Sequence, residues 1–482
     1  MEPNISDSIV VCKNSEGLDI QAQVVRLNRD GVVFEVYNPY SILQISEVLQ
    51  DFQIYFGDKI AYSGAAVVGN LVNTGIMIVC EATLEENWLE QDQDEKIDWL
   101  DGRLSGLSSI EKQFNRLVEN FERVEKIESA YKVLVSDLKN LLLELRNWLD
   151  QLEAQLGSKE DEDRNESEAA ICREIQRILE PKTNQFLQKL ELFAEKIAKD
   201  EILFYKRYLR KELHPIVLCA PFLHRTFTKP LGYAGDYEMV NMMLGNPYQG
   251  GSLFAKLVNQ AFVNTAPAVA HRNRIVYLEE MLVAEASKKV SCGKKLKVFN
   301  LGCGPAMEIQ RFLCGHQISD QAEITLVDFN RTTVEYTQST LEKIAQQHSR
   351  TASLQFHKYS VQKVLKMASS SRNQFPENHF DLVYCAGLFD YLTNNVCQRL
   401  VEYLYKILAP GGLCILTNVH PSNPIKIWMS FIVEWYLIYR DERQLRKLVP
   451  RFLRPESIDL LTDPTGVNLY MELRKPKDGI ID

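Results

Sequence analysis

Hydrophobic and polar positions along this chain change period several times, and each change marks a different kind of element. Up to residue 84 the apolar residues fall in short runs. Ile20 to Val25 and Gly31 to Tyr37 flank the turn Asn28-Arg29-Asp30-Gly31. Lys59 to Val68 and Gly75 to Ala82 follow, the second after Asn73-Thr74-Gly75. Such runs between turn residues predict strands, and together a small barrel or sandwich over residues 1–84. From 85 to 213 the period becomes helical. Leu107, Ile110, Phe114, Leu117, Phe121, Val124, Tyr131, Leu134, Leu138, Leu141, Leu145, Trp148 and Leu152 recur at steps of three and four. Charged residues fill the intervals, which is the pattern of a coiled-coil seam. The charged stretch 158–167 reads as a break. Ile171, Ile175 and Ile178, then Phe186, Leu190, Phe193 and Ile197 beyond Pro181, continue as a second helix. The simplest reading is a long helical hairpin, folded on itself or paired in a homodimer, that serves as scaffold or carries a signal.

Residues 214–293 are mostly helical and lead into an alternation of strands and helices over 294–482. Leu296 to Leu301 is a buried strand that enters Gly302-Cys303-Gly304-Pro305, and a helical pattern runs through Phe312 and Leu313. Ile324 to Val327 is a second strand ending on Asp328. Strand, glycine turn, helix, strand and terminal acid form the nucleotide-binding half of a doubly wound sheet. Gly302 turns the chain out of the strand, and Gly304 leaves room for a ligand against the main chain. Asp328, 24 residues after Gly304, is placed to accept two ribose hydroxyls. Met307 occupies the third-glycine position of a dinucleotide fingerprint, so that reading fails. Leu354 to His357 and His379 to Cys385 are further strands. A helix from Asn395 to Leu408, the turn Ala409-Pro410-Gly411-Gly412 and a strand from Leu413 to Asn418 follow. Thr462 to Arg474 reads as a closing antiparallel hairpin.

Composition narrows the picture. A chain of 482 residues implies several domains, and 45% hydrophobic with 25% charged residues is ordinary for a globular protein. A net charge of −9 argues against nucleic-acid binding, which needs a basic footprint. Ten cysteines without a C-x-x-C pair, and no signal peptide, predict reduced thiols in the cytoplasm. No stretch approaches the ~20 uncharged apolar residues of a transmembrane helix.

The Asn300-Leu301-Gly302-Cys303-Gly304-Pro305-Ala306 turn, Asp328 and Leu408-Ala409-Pro410-Gly411-Gly412-Leu413 resemble the motifs of class I S-adenosyl-L-methionine (SAM) methyltransferases. Lys229 to Asn241 (KPLGYAGDYEMVN), Ala270 to Ile275, Cys385 to Leu392 and Glu434 to Arg440 (EWYLIYR) sharpen this. Over roughly 215–476 the chain is similar to the bacterial 3-hydroxypalmitic acid methyl ester biosynthesis proteins. Pattern and resemblance together imply a multidomain α/β protein. Its parts are a β-barrel (1–84), a coiled-coil hairpin (85–213), a helical cap (214–293) and a Rossmann-like methyltransferase (294–482). The resemblance also implies O-methylation of the carboxylate of a fatty-acyl or other small, lipid-like acid. An alternative is a regulatory or adaptor protein that senses SAM. The run Phe56 to Gly75 resembles a divergent PilZ domain. Arg26 and Arg29 stand near its arginine positions, but the spacing and serine that clamp cyclic di-GMP are missing. A structural or partner-docking barrel is expected instead.

The same resemblance assigns roles by position. Gly302, Cys303 and Gly304, with Leu301, approach the methionyl and ribose parts of SAM, and Asp328 accepts the ribose hydroxyls. Phe329, Ser360 and Val361 flank the adenine. Cys385, Ala386 and Gly387 lie under the methyl group, and Tyr391 faces the acceptor. Asn300 stands where most relatives carry an acid, so it offers the SAM ammonium no opposing charge. Asp236, between Tyr233 and Tyr237, is a candidate for that charge or else a helix cap. Arg272 or Arg274 is a candidate partner for the SAM carboxylate. Transfer to a carboxylate needs no base, whereas a hydroxyl or amine does. His420 is the candidate base, or a loop-bracing residue. Tyr439 and Arg440 are candidates to pin an acceptor carboxylate. Residues 426–448 form either a lid over the acceptor or a buried helix closing the sheet.

Overall fold

The computed structural model describes residues 8–28, 31–36, 43–56, 59–73, 78–84, 126–156, 161–198, 201–368 and 374–477. At the N-terminus six antiparallel strands close a barrel in the order β1-β2-β3-β6-β5-β4. They are β1 (Ser8–Lys13), β2 (Asp19–Asn28), β3 (Gly31–Val36), β4 (Val48–Phe56), β5 (Lys59–Asn73) and β6 (Ile78–Leu84). β1 and β4 were not legible as strands. In β4 the register against β5 shifts between Leu49 and Phe52, where Asp51 takes a positive φ of 49°. That bulge resets the in-out alternation, so Leu49, Phe52 and Ile54 point inward without an unbroken period of two. The interior is filled by Val10, Val24, Phe34, Phe52, Ile54, Tyr62 and Val68, all buried. Arg26 lies exposed beside Glu81. Arg29, the turn at 29–30 and the turn after Asn73 lie outside the described residues.

The helical part packs as one layer rather than as an isolated seam. The helices Ser129–Leu156 and Asp161–Ala194 rest on Ile202–Val217, Leu253–Val263 and Lys426–Ile432 as well as on each other. One hydrophobic cluster runs from Ile127 through Leu213 and Leu223 to Met243, Phe262 and Trp428, across the boundary expected at 213/214. Leu141 and Trp148, expected on the seam, are 41% and 51% exposed. Helix already runs from Asp161, inside the expected break, and continues through Pro181. The expected seam positions from Leu107 to Val124 lie outside the described residues. No helix among the described residues is long and apolar enough to cross a membrane.

The C-terminal sheet has seven strands in the order β12-β13-β11-β10-β7-β8-β9. β7 (Leu296–Leu301), β8 (Ala322–Asp328), β9 (Ser353–Lys358), β10 (Phe380–Cys385) and β11 (Leu408–Val419) are parallel. β13 (Asn468–Arg474) is antiparallel to both β11 and β12 (Ser457–Thr462). The closing hairpin therefore begins at Ser457, and 463–467 is its turn. The Pro-Gly-Gly segment is a register shift within β11, with Gly411 at φ 74°. Strand order reverses between β7 and β10, the crevice where doubly wound sheets bind ligands.

The segment Val433 to Arg440 joins all three parts. Glu434 is 6% exposed and pairs with Arg210 at 2.7 Å and Lys206 at 3.3 Å from the helical layer. Ser46 of the barrel donates to the carbonyl of Tyr436 at 2.9 Å, and Lys206 also contacts the Tyr436 hydroxyl. Trp435 donates to Tyr391 Oη at 2.9 Å, and Ile438 N–H to the Asp390 carbonyl at 2.7 Å. Burial alone would raise the Glu434 carboxyl, but Arg210, Lys206 and Lys229 outweigh it and hold it far below the ordinary value. Glu434→Gln leaves buried cations uncompensated and should cost about 3–5 kcal/mol of stability. Because the folded carboxyl is depressed, its contribution is full above the ordinary value of 4.5 and is lost as pH falls below it. Chemical denaturation of both proteins at acid pH checks this: the gap should narrow as pH falls below 4.5.

Candidate active site

The crevice at the ends of β7, β8 and β10 opens into a cavity. Its floor is the glycine turn. Gly302 (φ 74°) and Cys303 both donate to the carbonyl of Val327, at 2.8 and 3.1 Å, and Thr337 Oγ1 donates to the Gly304 carbonyl at 2.6 Å. Gly304 has φ 51°, and a β-carbon there would meet nothing within 4 Å, so the turn presents bare main chain to open space. Asp328 closes the end of β8. Its carboxylate accepts from Gly304 N–H at 3.1 Å and Asn330 N–H at 3.0 Å. Burial still raises it above the usual carboxyl range, against those N–H groups. Tyr233 packs on Phe329 with ring centroids 4.7 Å apart, and its hydroxyl lies 3.2 Å from Thr333 Oγ1.

Asn300 is 2% exposed, and its amide donates to Glu308 Oε1 and to the Tyr384 hydroxyl, each at 3.1 Å. Tyr384 in turn donates to the same Glu308 oxygen at 2.8 Å. Glu308, 6% exposed on the first turn of the helix Met307–Gly315, lines the cavity. The carboxylate missing from the end of β7 thus stands one helix turn into the next element. Sequence reasoning passed over it, although Asn300 and Glu308 both belong to the glycine-turn segment and an acid-to-amide change there could have prompted a search for a nearby acid. Burial raises the Glu308 carboxyl; its own N–H, Tyr384, Arg274 and Asn300 oppose this.

Arg274 is the cavity's guanidinium. It is 8% exposed, and a β-carbon at Gly387 would lie 3.1 Å from its Nη1, so Gly387 makes room for it. Its Nη2 donates to His271 Nδ1 at 2.8 Å. Burial, with Arg274 and Arg272, holds the His271 imidazole well below its ordinary value, hence neutral and able to accept. No carboxylate of the described residues pairs with Arg274 within 4.0 Å. Cys303, Val361, Ala386, Gly387, Tyr237 and Tyr391 also line the cavity. Gly235 at φ 79° lets Tyr391 approach, since a β-carbon there would lie 2.8 Å from its hydroxyl. Trp428, Met429, Val433, Trp435 and Leu437 supply an apolar wall, and Gln44 and Ile45 reach in from the barrel.

Several expected site residues are held elsewhere. Asp236 is 2% exposed and binds Arg225 through both oxygens at 3.0 and 2.9 Å, while Oδ1 caps Met239 N–H at 2.8 Å. It is a cap and ion-pair partner rather than the missing cofactor charge. Arg272 donates to the carbonyls of Met243 and Val263 and ties helices together. Arg440, 1% exposed, donates to the carbonyls of Phe389 and Leu392 and to Asn394 and Asn418, all within 2.9 Å. It staples strand ends, with four of its five N–H groups committed and its side chain buried off the cavity lining. Tyr439 turns toward Asn423 and the outer groove beside the barrel. His420 Nδ1 accepts from Ser422 N–H at 3.1 Å, which braces its loop. Ser360 Oγ accepts from Lys363 N–H at 3.3 Å and lies off the cavity lining.

A family model described as a methyltransferase domain matches residues 298–412. An uncharacterized protein, RP028, of Rickettsia prowazekii (strain Madrid E) is 23% identical over 173 residues, covering 35% of this chain and 62% of that one. The chain therefore spans less than two thirds of this curated relative. Among solved structures, a possible exported protein from Bordetella parapertussis overlaps 53% of this chain and 86% of its own, at 14% identity and TM-score 0.40. Magnesium protoporphyrin IX methyltransferase from Synechocystis PCC 6803, solved with bound S-adenosylhomocysteine, overlaps 43% and 84%, at 12% identity and TM-score 0.31. Strand order and glycine turn are those of a doubly wound nucleotide-binding unit, and its segment 298–412 is similar to methyltransferase domains. S-adenosylmethionine is the cofactor that such a domain takes.

Asp236→Ala removes a cap and orphans a half-buried arginine. It should lower stability by about 1–3 kcal/mol without weakening cofactor affinity. Thermal unfolding together with calorimetric SAM titration reads both, and a loss of affinity with unchanged stability contradicts the assignment.

Proposed function

We propose that the chain is a SAM-dependent methyltransferase acting on a small acceptor with an apolar body. In this reading a barrel (1–84), a helical part (85–213) and a cap (214–293) enclose a catalytic unit (294–482). The observation that carries it is the unpaired, buried guanidinium of Arg274 in one cavity with Glu308, Asp328 and the open glycine turn. With no carboxylate of the described residues within 4.0 Å, its free N–H groups suit a ligand that brings one. Arg274 would hold the methionyl carboxylate, Glu308 would face the ammonium, and Asp328 the ribose hydroxyls. Phe329, Tyr233 and Val361 would flank the adenine. SAM supplies a methyl group on a sulfonium, and in-line transfer depends mainly on positioning. Excluding water from that path falls to Tyr391, Trp435 and the apolar wall. A carboxylate acceptor, expected from Tyr439 and Arg440, loses both anchors because neither residue lines this cavity.

The second reading, an adaptor that senses SAM, draws on Gln44 and Ile45, which bring the barrel into the cavity lining. Turnover of SAM with a lipid extract separates the two, since a sensor binds without turnover. Arg274→Met and Glu308→Gln should each weaken SAM binding roughly ten- to a hundred-fold, the range of a lost charge-assisted hydrogen bond. Isothermal titration with SAM checks this, and wild-type affinity in both variants would remove the basis of the reading.

A further inference from the structure

The cavity holds one more ionisable group that the cofactor does not account for. Asp390 follows the end of β10 in Leu388-Phe389-Asp390-Tyr391, is 3% exposed, and lines the cavity with Gly387 and Tyr391. Its Oδ1 accepts from Val419 N–H at 2.6 Å, at the end of β11. Its other oxygen has no hydrogen-bond partner among the described residues and keeps some exposure to the cavity. It stands where β10 and β11 end, beside the residues expected under the transferred methyl group.

We infer that Asp390 is a catalytic base, and that the acceptor is a neutral hydroxyl compound with an apolar body rather than a carboxylate. This rests on the methyltransferase reading above. Three carboxyl groups, Glu308, Asp328 and Asp390, face the cavity against one guanidinium, Arg274, which the cofactor carboxylate would occupy. An anionic acceptor would meet like charge at Asp390, whereas a neutral O–H donates to its free oxygen. The step balances: the acceptor proton passes to Asp390 as the acceptor oxygen pair forms the new O–CH3 bond. The electrons of the broken S–CH3 bond remain on sulfur, leaving neutral S-adenosylhomocysteine, and Asp390 then releases the proton to solvent.

The groups that act on Asp390 come from each element around it. Arg274 and Arg440 favour its charged form, while the phenols of Tyr391 and Tyr439 and the thiols of Cys385 and Cys397 lie close by. Burial dominates and raises its carboxyl to about 6, against Val419 N–H and the two arginines. Activity that needs the ionised form should therefore climb as pH rises through about 6 and then level.

The test uses the full chain, Asp390→Asn, and two probes with one apolar body, 4-octylphenol and 4-octylbenzoate. The asparagine carbonyl can still accept from Val419, so the strand ends keep their tie. The phenol, with a pKa near ~10, reaches the site neutral, and the benzoate is already ionised. Wild-type protein should methylate the phenol in preference to the benzoate. Asp390→Asn should lose phenol turnover by roughly a hundred-fold or more, while SAM affinity stays the same. A binding measurement stands apart from turnover. With S-adenosylhomocysteine present at pH 8, Asp390→Asn should bind 4-octylbenzoate at least about ten-fold more tightly than wild type, because a like charge has gone. Methylation of the benzoate at equal rates in both proteins, or equal benzoate affinity, overturns the assignment. Loss of SAM binding by the wild type would instead sink the methyltransferase reading beneath it.

Discussion

One buried carboxylate, Glu434, organises the junction of this molecule. Arg210, Lys206 and Lys229 converge on it from the helical layer and the loop before the glycine-rich Gly232 to Gly235 turn. Three cations in a desolvated space are tolerable only with a counter-charge, so the strand-like segment 433–440 is fixed where that charge must be. With Glu434 placed, Trp435 reaches Tyr391, Tyr436 meets the barrel, and Ile438 and Arg440 lock onto the ends of β10 and β11. The cavity wall is a consequence of that charge balance. The same burial moves titrations: it carries Lys206 down to about 7 and Lys229 to about 8.

The barrel belongs to this arrangement and does not hang from it. Val48 N–H donates to the Gly232 carbonyl at 2.7 Å, and Ile45 N–H lies 3.4 Å from the Tyr391 carbonyl. A packed interior leaves the barrel little room for a ligand of its own among the described residues, yet its 43–48 segment completes the wall of the methyltransferase cavity. The barrel therefore meets the C-terminal unit through its outer surface.

What could be read from the sequence was local. The glycine turn, Asp328 and the strand-helix alternation are set within about thirty residues, and the structure keeps each of them. Misassignments arose where partners are set by packing rather than by the local pattern. Arg440 looked like a free guanidinium beside an aromatic run, but its acceptors lie 22 to 51 residues earlier. Asp236 looked like a ligand, and Arg225 eleven residues before it takes both oxygens. Glu308 was missed although it lies two residues past the motif, because a helical glutamate resembles any solvated first-turn acid until the packing of Tyr384 and Asn300 encloses it. β4 was missed because its bulge erased the alternation.

In the proposed reading one cofactor cavity is walled jointly by the Rossmann unit, the cap, the barrel and the segment after Val433. Amide hydrogen exchange on the full chain, with and without S-adenosylhomocysteine, tests it in one measurement. Protection should rise together at the 302–306 turn, at 43–48, at 232–237 and at 433–438. Protection confined to the 302–306 turn and the end of β8, with the other three segments unchanged, would contradict it.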